Sequence, residues 1–341
     1  MDTKRWYAND FQQDKQEAIQ SAAELLKAGE TVAFPTETVY GLGADATNKA
    51  AINKIFQAKG RPQDNPLIVH VATPQQLKEL VTSIPNYVDK LLEAFTPGPI
   101  TFVLPSNGRC AENVTAGLDS VGVRLPGHPI ALKLLQEAAV PVAAPSANLS
   151  GKPSPTSADH VWADLNGRIA GLLDGGTTGV GLESTVLDCT QAIPIILRPG
   201  GITKEQLEEV VGTVMIDPGL ANDKEQRPKS PGMKYRHYSP DAPLWLVEGS
   251  SEKLQQVIDA EMKKGHRVGV MAASKTVTAI EADFKIDLGA NMETVAATLY
   301  DALRMFNEHD VDLILCEAFS EQGIGQAVMN RLKKAASDYI K

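Results

Sequence analysis

The chain has 341 residues, with 33 Lys and Arg against 42 Asp and Glu, a formal net charge of −9 and 43% hydrophobic residues. At roughly 150 residues per domain that length predicts two domains, and the apolar fraction excludes a wholly disordered chain. No apolar run reaches the ~18–20 residues that span a bilayer, and the polar residues 1–13 are not a signal peptide, so no membrane partner is expected. The three cysteines, Cys110, Cys189 and Cys316, lie far apart. They predict neither a disulfide framework nor a zinc site, and they fit a reducing cytoplasm. The acidic balance argues against coating nucleic acid by charge alone.

In chain order, residues 16–28 have helical spacing and stop at Gly29. A short strand over 31–34 ends at Pro35. Thr47 is expected to cap a helix that closes at Gly60. Strands are predicted over 67–71, 100–104, 121–125, 142–144, 169–173, 185–188 and 193–197, with helices over 73–81 and 129–138. Thr203 and Gln206 form a capping box for the last helix of this half. Strands and helices that intersperse without strict alternation predict a mixed sheet in an α/β domain, residues 1–207. Residues 208–243 hold five prolines and little apolar periodicity after Ile216, and are read as a linker. Beyond it, 244–341 predicts strand 244–247, helix 251–264, strand 267–271, helix 292–308, strand 311–316 and helix 325–336. That is a smaller Rossmann-like α/β unit lacking GxGxxG, so no dinucleotide site is implied.

Several segments could carry chemistry. Lys59, Gly60, Arg61 and Pro62 read as an ordinary helix end, or as two cations at a turn that grip phosphate with Asn65 nearby. The run 35–43, PTETVYGLG, puts hydroxyls and a carboxylate at a strand end, as a ligand crevice or a plain ST-turn. His70 lies in an apolar run, where a core histidine is the common outcome. Arg124 sits in a strand with a buried face and so needs an anion, from the protein or from a ligand. The loop 145–154, PSANLSGKPS, is rich in small donors but is not a Walker loop. The linker segment 230–240, SPGMKYRHYSP, interleaves cations with aromatics and could hold RNA or a nucleotide.

Together, FPTETVYGLG, KGRPQDNPLIVH, PGPIT, VGVRLP, APSANLSGKPSPT, ESTVLD and LRPGG occur in order. They resemble the YrdC family, and the SPGMKYRHYSP linker with its appended domain resembles the two-domain form of threonylcarbamoyl-AMP synthases. The resemblance covers essentially the whole chain. It implies a YrdC-like twisted mixed sheet with helices around a basic cavity, and a linker that closes over the site. It also implies a nucleotidyltransferase reaction in which L-threonine, bicarbonate or carbon dioxide, and ATP give threonylcarbamoyl-adenylate and pyrophosphate. A downstream transferase complex would then modify tRNA next to the anticodon, so that contact with tRNA is indirect. Mg2+ would arrive on the ATP phosphates, with no ligand from the protein. By the same resemblance, Thr38, His70, Arg124, Ala144 and Ser184 face threonine. Arg61, Asn65, Ser120, Ser146, Ser154, Arg198 and His237 face ATP, and Lys59 and Arg61 neutralise charge at the phosphorus.

The residues also admit two other readings. An RNA-binding module for tRNA or double-stranded RNA could use a basic concavity and the 234–238 segment, against a net charge of −4 over 1–207. A carbamoyltransferase of hydrogenase maturation contains a related domain but also zinc-finger cysteines, which this chain lacks.

Overall fold

The computed structural model describes residues 2–8, 12–220 and 238–341. The described residues divide into two compact units, the second comprising 238–341 with the short segments Gly151–Ser154 and Val180–Leu182.

The first unit is built on strands β1 (Lys4–Tyr7), β2 (Val32–Phe34), β3 (Gly41–Asp45), β4 (Ile68–His70), β5 (Ile100–Pro105), β6 (Ser120–Arg124), β7 (Val142–Ala143), β8 (Gly171–Asp174), β9 (Thr185–Asp188), β10 (Ile195–Arg198) and β11 (Met215–Ile216). They form one sheet in the order β1-β8-β2-β3-β7-β4-β6-β5-β9-β10-β11. Parallel pairs such as β4 with β6 alternate with antiparallel ones such as β5 with β6, so the sheet is mixed, as expected. Its helices are α1 (Gln12–Lys27), α2 (Lys49–Lys59), α3 (Pro74–Lys78), α4 (Asn86–Phe95), α5 (Glu112–Thr115), α6 (Pro129–Ala138), α7 (Ala158–Leu165) and α8 (Lys204–Val211).

Period-two alternation divides the strand side chains between two faces. Val69, Phe102, Val121, Val123 and Leu187 join the larger core with apolar residues of α2, α4 and α7. Phe34, Val142 and Leu173 point the other way and pack with α1 and α6. On that second face, the stretch over β4, β5, β9 and β10 holds only a small cluster of Ile68, Val103, Val186 and Leu197. The same alternation sends His70, Thr101 and Arg124 to this second face, where all three are buried.

β3 is absent from the sequence reading because GLGAD lacks the β-branched residues that mark a strand. Its glycines serve close approach. A Cβ on Gly43 would lie 2.6 Å from Val142 Cγ1 and 2.8 Å from Phe34, so only glycine admits this spacing of β2, β3 and β7. Asn48, rather than Thr47, caps α2, its side chain accepting from the Ala50 and Ala51 N–H groups. Thr47 instead bonds Asp45 Oδ1. The cap at Thr203 with Gln206 is formed as predicted. Regular structure runs past residue 208, where the linker was expected to start. Residues 208–211 complete α8, and β11 pairs in parallel with β10, so the sheet continues through Ile216.

The second unit carries β12 (Leu244–Val247), β13 (Val268–Ala272), β14 (Phe284–Asp287), β15 (Leu313–Glu317) and β16 (Asp338–Ile340), all parallel, in the order β14-β13-β15-β12-β16. Helices α9 (Ser251–Lys263), α10 (Ser274–Val277), α11 (Met292–Met305) and α12 (Gly325–Ala335) connect them. This is the Rossmann-like arrangement expected, enlarged by β14 and β16. Cys110, Cys189 and Cys316 are free, buried thiols. Among the described residues no helix is long and apolar enough to cross a membrane.

Candidate active site

The sheet register brings the proposed threonine residues together. β4 and β6 run parallel with His70 opposite Arg124. β5 and β6 pair Phe102 with Val123, which puts Thr101 beside Arg124 one step along. Thr101 in turn shares a 2.8 Å hydroxyl contact with Ser184, just before β9. Ala144, just beyond β7, donates its N–H to the Ile68 carbonyl at 2.9 Å.

Arg124 is 5% exposed, and its Nη2 donates to Glu37 Oε1 at 2.6 Å. Of the two anions that a buried strand arginine could meet, the protein thus supplies one. Glu37 stands in the bend after β2. There the Thr36 hydroxyl accepts from the Thr38 and Val39 N–H groups and contacts Thr38 Oγ1 at 2.8 Å. The ST-turn is real, and it presents Thr38 and Glu37 side by side.

His70 is 3% exposed, and burial, reinforced by the Arg124 charge, lowers its pKa to about 3. The imidazole is therefore neutral at pH 7, with Nδ1 buried and unpartnered among the described residues. In the unfolded chain it titrates near 6.5. Between these values the unfolded state holds more protons, so stability rises with pH across that window and is lost as pH falls through it. We expect a slope of about 1 kcal/mol per pH unit, flattened in His70→Gln and checked by denaturant unfolding from pH 4 to 7.

The proposed ATP residues form separate small groups. Lys59, 3% exposed at the end of α2, donates through Nζ to the Ser146 carbonyl at 2.6 Å, the Asn148 carbonyl at 2.5 Å and Asn148 Oδ1 at 3.3 Å. Its three donors thus bind the loop after β7 to the helix end, where Gly60 adopts φ 60° to terminate the turn. Ser146 Oγ also donates to Asn148 Oδ1 at 2.6 Å. Arg61 Nη2 lies 3.4 Å from both the Asn65 and Pro66 carbonyls, while Asn65 Oδ1 is buried without a partner among the described residues. Arg198, 4% exposed, clasps Ser184 through Nε and Nη2 to its carbonyl at 3.1 and 2.9 Å. Gly200 makes this clasp possible, since a Cβ there would lie 2.3 Å from the Thr185 nitrogen. Ser120 lines a cleft with Pro66, Thr101 and Thr115, at the opposite end of β6 from Arg124. Ser154 is fully buried and groups with the second unit, and His237 lies outside the described residues. Among the described residues no three His, Cys, Asp or Glu side chains cluster as metal ligands.

Residues 24–200 match the family model of the Sua5, YciO and YrdC proteins, described as telomere recombination, and residues 202–337 match the threonylcarbamoyl-AMP synthase C-terminal domain. A threonylcarbamoyl-AMP synthase of Bacillus subtilis is 53% identical over 100% of this chain and 99% of its own length. The chain belongs to the threonylcarbamoyl-AMP synthase family. A member from Pyrococcus abyssi is 47% identical over 93% of this chain and 94% of its own. The crystal structure of P. abyssi Sua5 complexed with L-threonine superimposes with a TM-score of 0.93 at 43% identity, covering 100% of each chain.

Against this family background, the sequence reading missed specific partners rather than whole motifs. Thr101 carried no signal beyond a hydroxyl in an apolar strand. Asn148 was seen only as a loop donor. Glu37 was visible as a carboxylate at a strand end, and the demand of buried Arg124 for an anion was the clue that could have joined the two.

Proposed function

We propose that this chain condenses L-threonine, bicarbonate or carbon dioxide, and ATP to threonylcarbamoyl-AMP with release of pyrophosphate, as a nucleotidyltransferase. The observation that carries this reading is the buried Arg124, held by a single bond to Glu37, in a chain of this family whose fold matches a threonine-bound relative throughout. Arg124 is the planar donor for the threonine carboxylate. Thr38 supplies a hydroxyl, His70 a neutral imidazole, Ser184 a second hydroxyl and Ala144 its backbone. The carbamate oxygen then attacks the α-phosphorus, and pyrophosphate leaves.

On the nucleotide side, Arg61, Asn65, Ser120, Ser146, Ser154, Arg198 and His237 meet ATP. The donors of Lys59 are engaged with the 146–148 loop, so it acts on the phosphates by its charge and by holding that loop in place. Mg2+ carried on the ATP phosphates would offset part of their charge. Catalysis rests on positioning and electrostatics, with no covalent enzyme intermediate. The product serves a downstream threonylcarbamoyl-transferase complex that modifies tRNA. A cytoplasmic location fits those partners and the three free thiols.

Mass spectrometry of the full chain mixed with ATP, Mg2+, threonine and bicarbonate should show threonylcarbamoyl-adenylate, dependent on each component. Salt-sensitive tRNA binding without pyrophosphate release would favour the RNA-binding module instead.

A further inference from the structure

The ion pair between Arg124 and Glu37 is incomplete in a particular way. A structural arginine–carboxylate pair in a buried setting is usually bidentate, two parallel N–H···O bonds. Here one bond forms, Nη2 to Oε1 at 2.6 Å, while Arg124 Nε and Glu37 Oε2 are both buried without partners among the described residues. Leaving a buried donor and a buried acceptor unmade is costly unless something else meets them. The leftover donor lies on a cation and the leftover acceptor on an anion. An α-amino acid zwitterion has the complementary pair, a carboxylate and an ammonium on adjacent atoms.

The surroundings leave Glu37 able to change partners. It lies in the bend between β2 and β3. Its side chain keeps 17% exposure against 5% for Arg124. The titratable groups facing the pair are His70 from β4 and His128 at the start of α6. Burial lowers both of their pKa values, and His128 Nδ1 is already taken by the Ile130 N–H. Neither is placed to receive a proton from a cationic amine as well as Glu37 is.

We propose that Glu37 is a catalytic residue of the threonine site, exchanging Arg124 for the substrate ammonium and accepting its proton. This rests on the function proposed above. As threonine enters, its carboxylate takes the Arg124 fork and its ammonium bonds Glu37, so the buried charges stay balanced. One N–H proton passes to the Glu37 carboxylate, giving the carboxylic acid and a neutral amine. The nitrogen lone pair forms the N–C bond to carbon dioxide, a C–O π pair moves onto oxygen, and the second proton leaves to water.

The test compares pyrophosphate release by wild type, Glu37→Gln and Glu37→Asp in the full chain from pH 6 to 9.5, with thermal melts as controls. We expect Glu37→Gln to lose about 10²-fold or more at pH 7, the usual scale for a general base. Its rate should then climb about tenfold per pH unit as the free amine grows, while Glu37→Asp keeps the wild-type profile with a smaller loss. A Glu37→Gln rate with the wild-type pH profile overturns the proposal, as does a Glu37→Asp variant that folds and acquires the same steep slope. A wild-type protein that makes no threonylcarbamoyl-adenylate at any pH instead overturns the function on which the proposal rests.

Discussion

Lys59→Met should lower adenylate formation by about 10²- to 10³-fold, the scale of losing a preorganised cation in a low-dielectric site. It should also cost about 3 kcal/mol of stability, because the two carbonyls and the Asn148 amide oxygen are left without a charged donor. Lys59→Arg should recover little. The three acceptors converge on one nitrogen, and a planar guanidinium spreads its donors apart. Denaturant unfolding and pyrophosphate release in parallel check both parts. A variant of normal activity would show that Lys59 is only a helix-end cation complementing the macrodipole.

The second large effect is expected at Arg124. Arg124→Ala should weaken threonine binding at least 10²-fold by calorimetry, through loss of a bidentate charge-assisted contact. Its stability cost should be about 3 kcal/mol, the lower end for breaking a buried pair, since Glu37 keeps 17% exposure. Removing Glu37 as well should restore part of that stability, because the stranded carboxylate goes with it. Threonine affinity should not return. If the double variant is no more stable than the single one, the cost lies in lost packing of the arginine stem rather than in the unpaired charge.

What could be read from residues alone divides along physical lines. Strands 185–188 and 244–247 and helix 129–138 were placed to the residue, because apolar runs bounded by Gly, Pro and Asp report local preference directly. β3 was missed because its glycines answer to Phe34 and Val142, neighbours that only the folded sheet brings near. The same divide runs through the site. Arg124 stood out because a charge in an apolar strand is locally anomalous. Its link to Glu37, 87 positions away, depends on a register between β2, β4 and β6 that no local pattern encodes. Lys59 was singled out as a phosphate cation, yet its donors point to a loop almost 90 positions later, again a tertiary fact.

The buried thiols make the two units separately observable. Burial raises the pKa of Cys110 to about 11, and those of Cys189 and Cys316 also rise. Thiolate, the reactive form, is therefore scarce at each site while the fold is closed. Cys110 and Cys189 belong to the first unit and Cys316 to the second. Alkylation followed residue by residue thus becomes a clock for opening, in which each half of the chain reports its own unfolding without any introduced label.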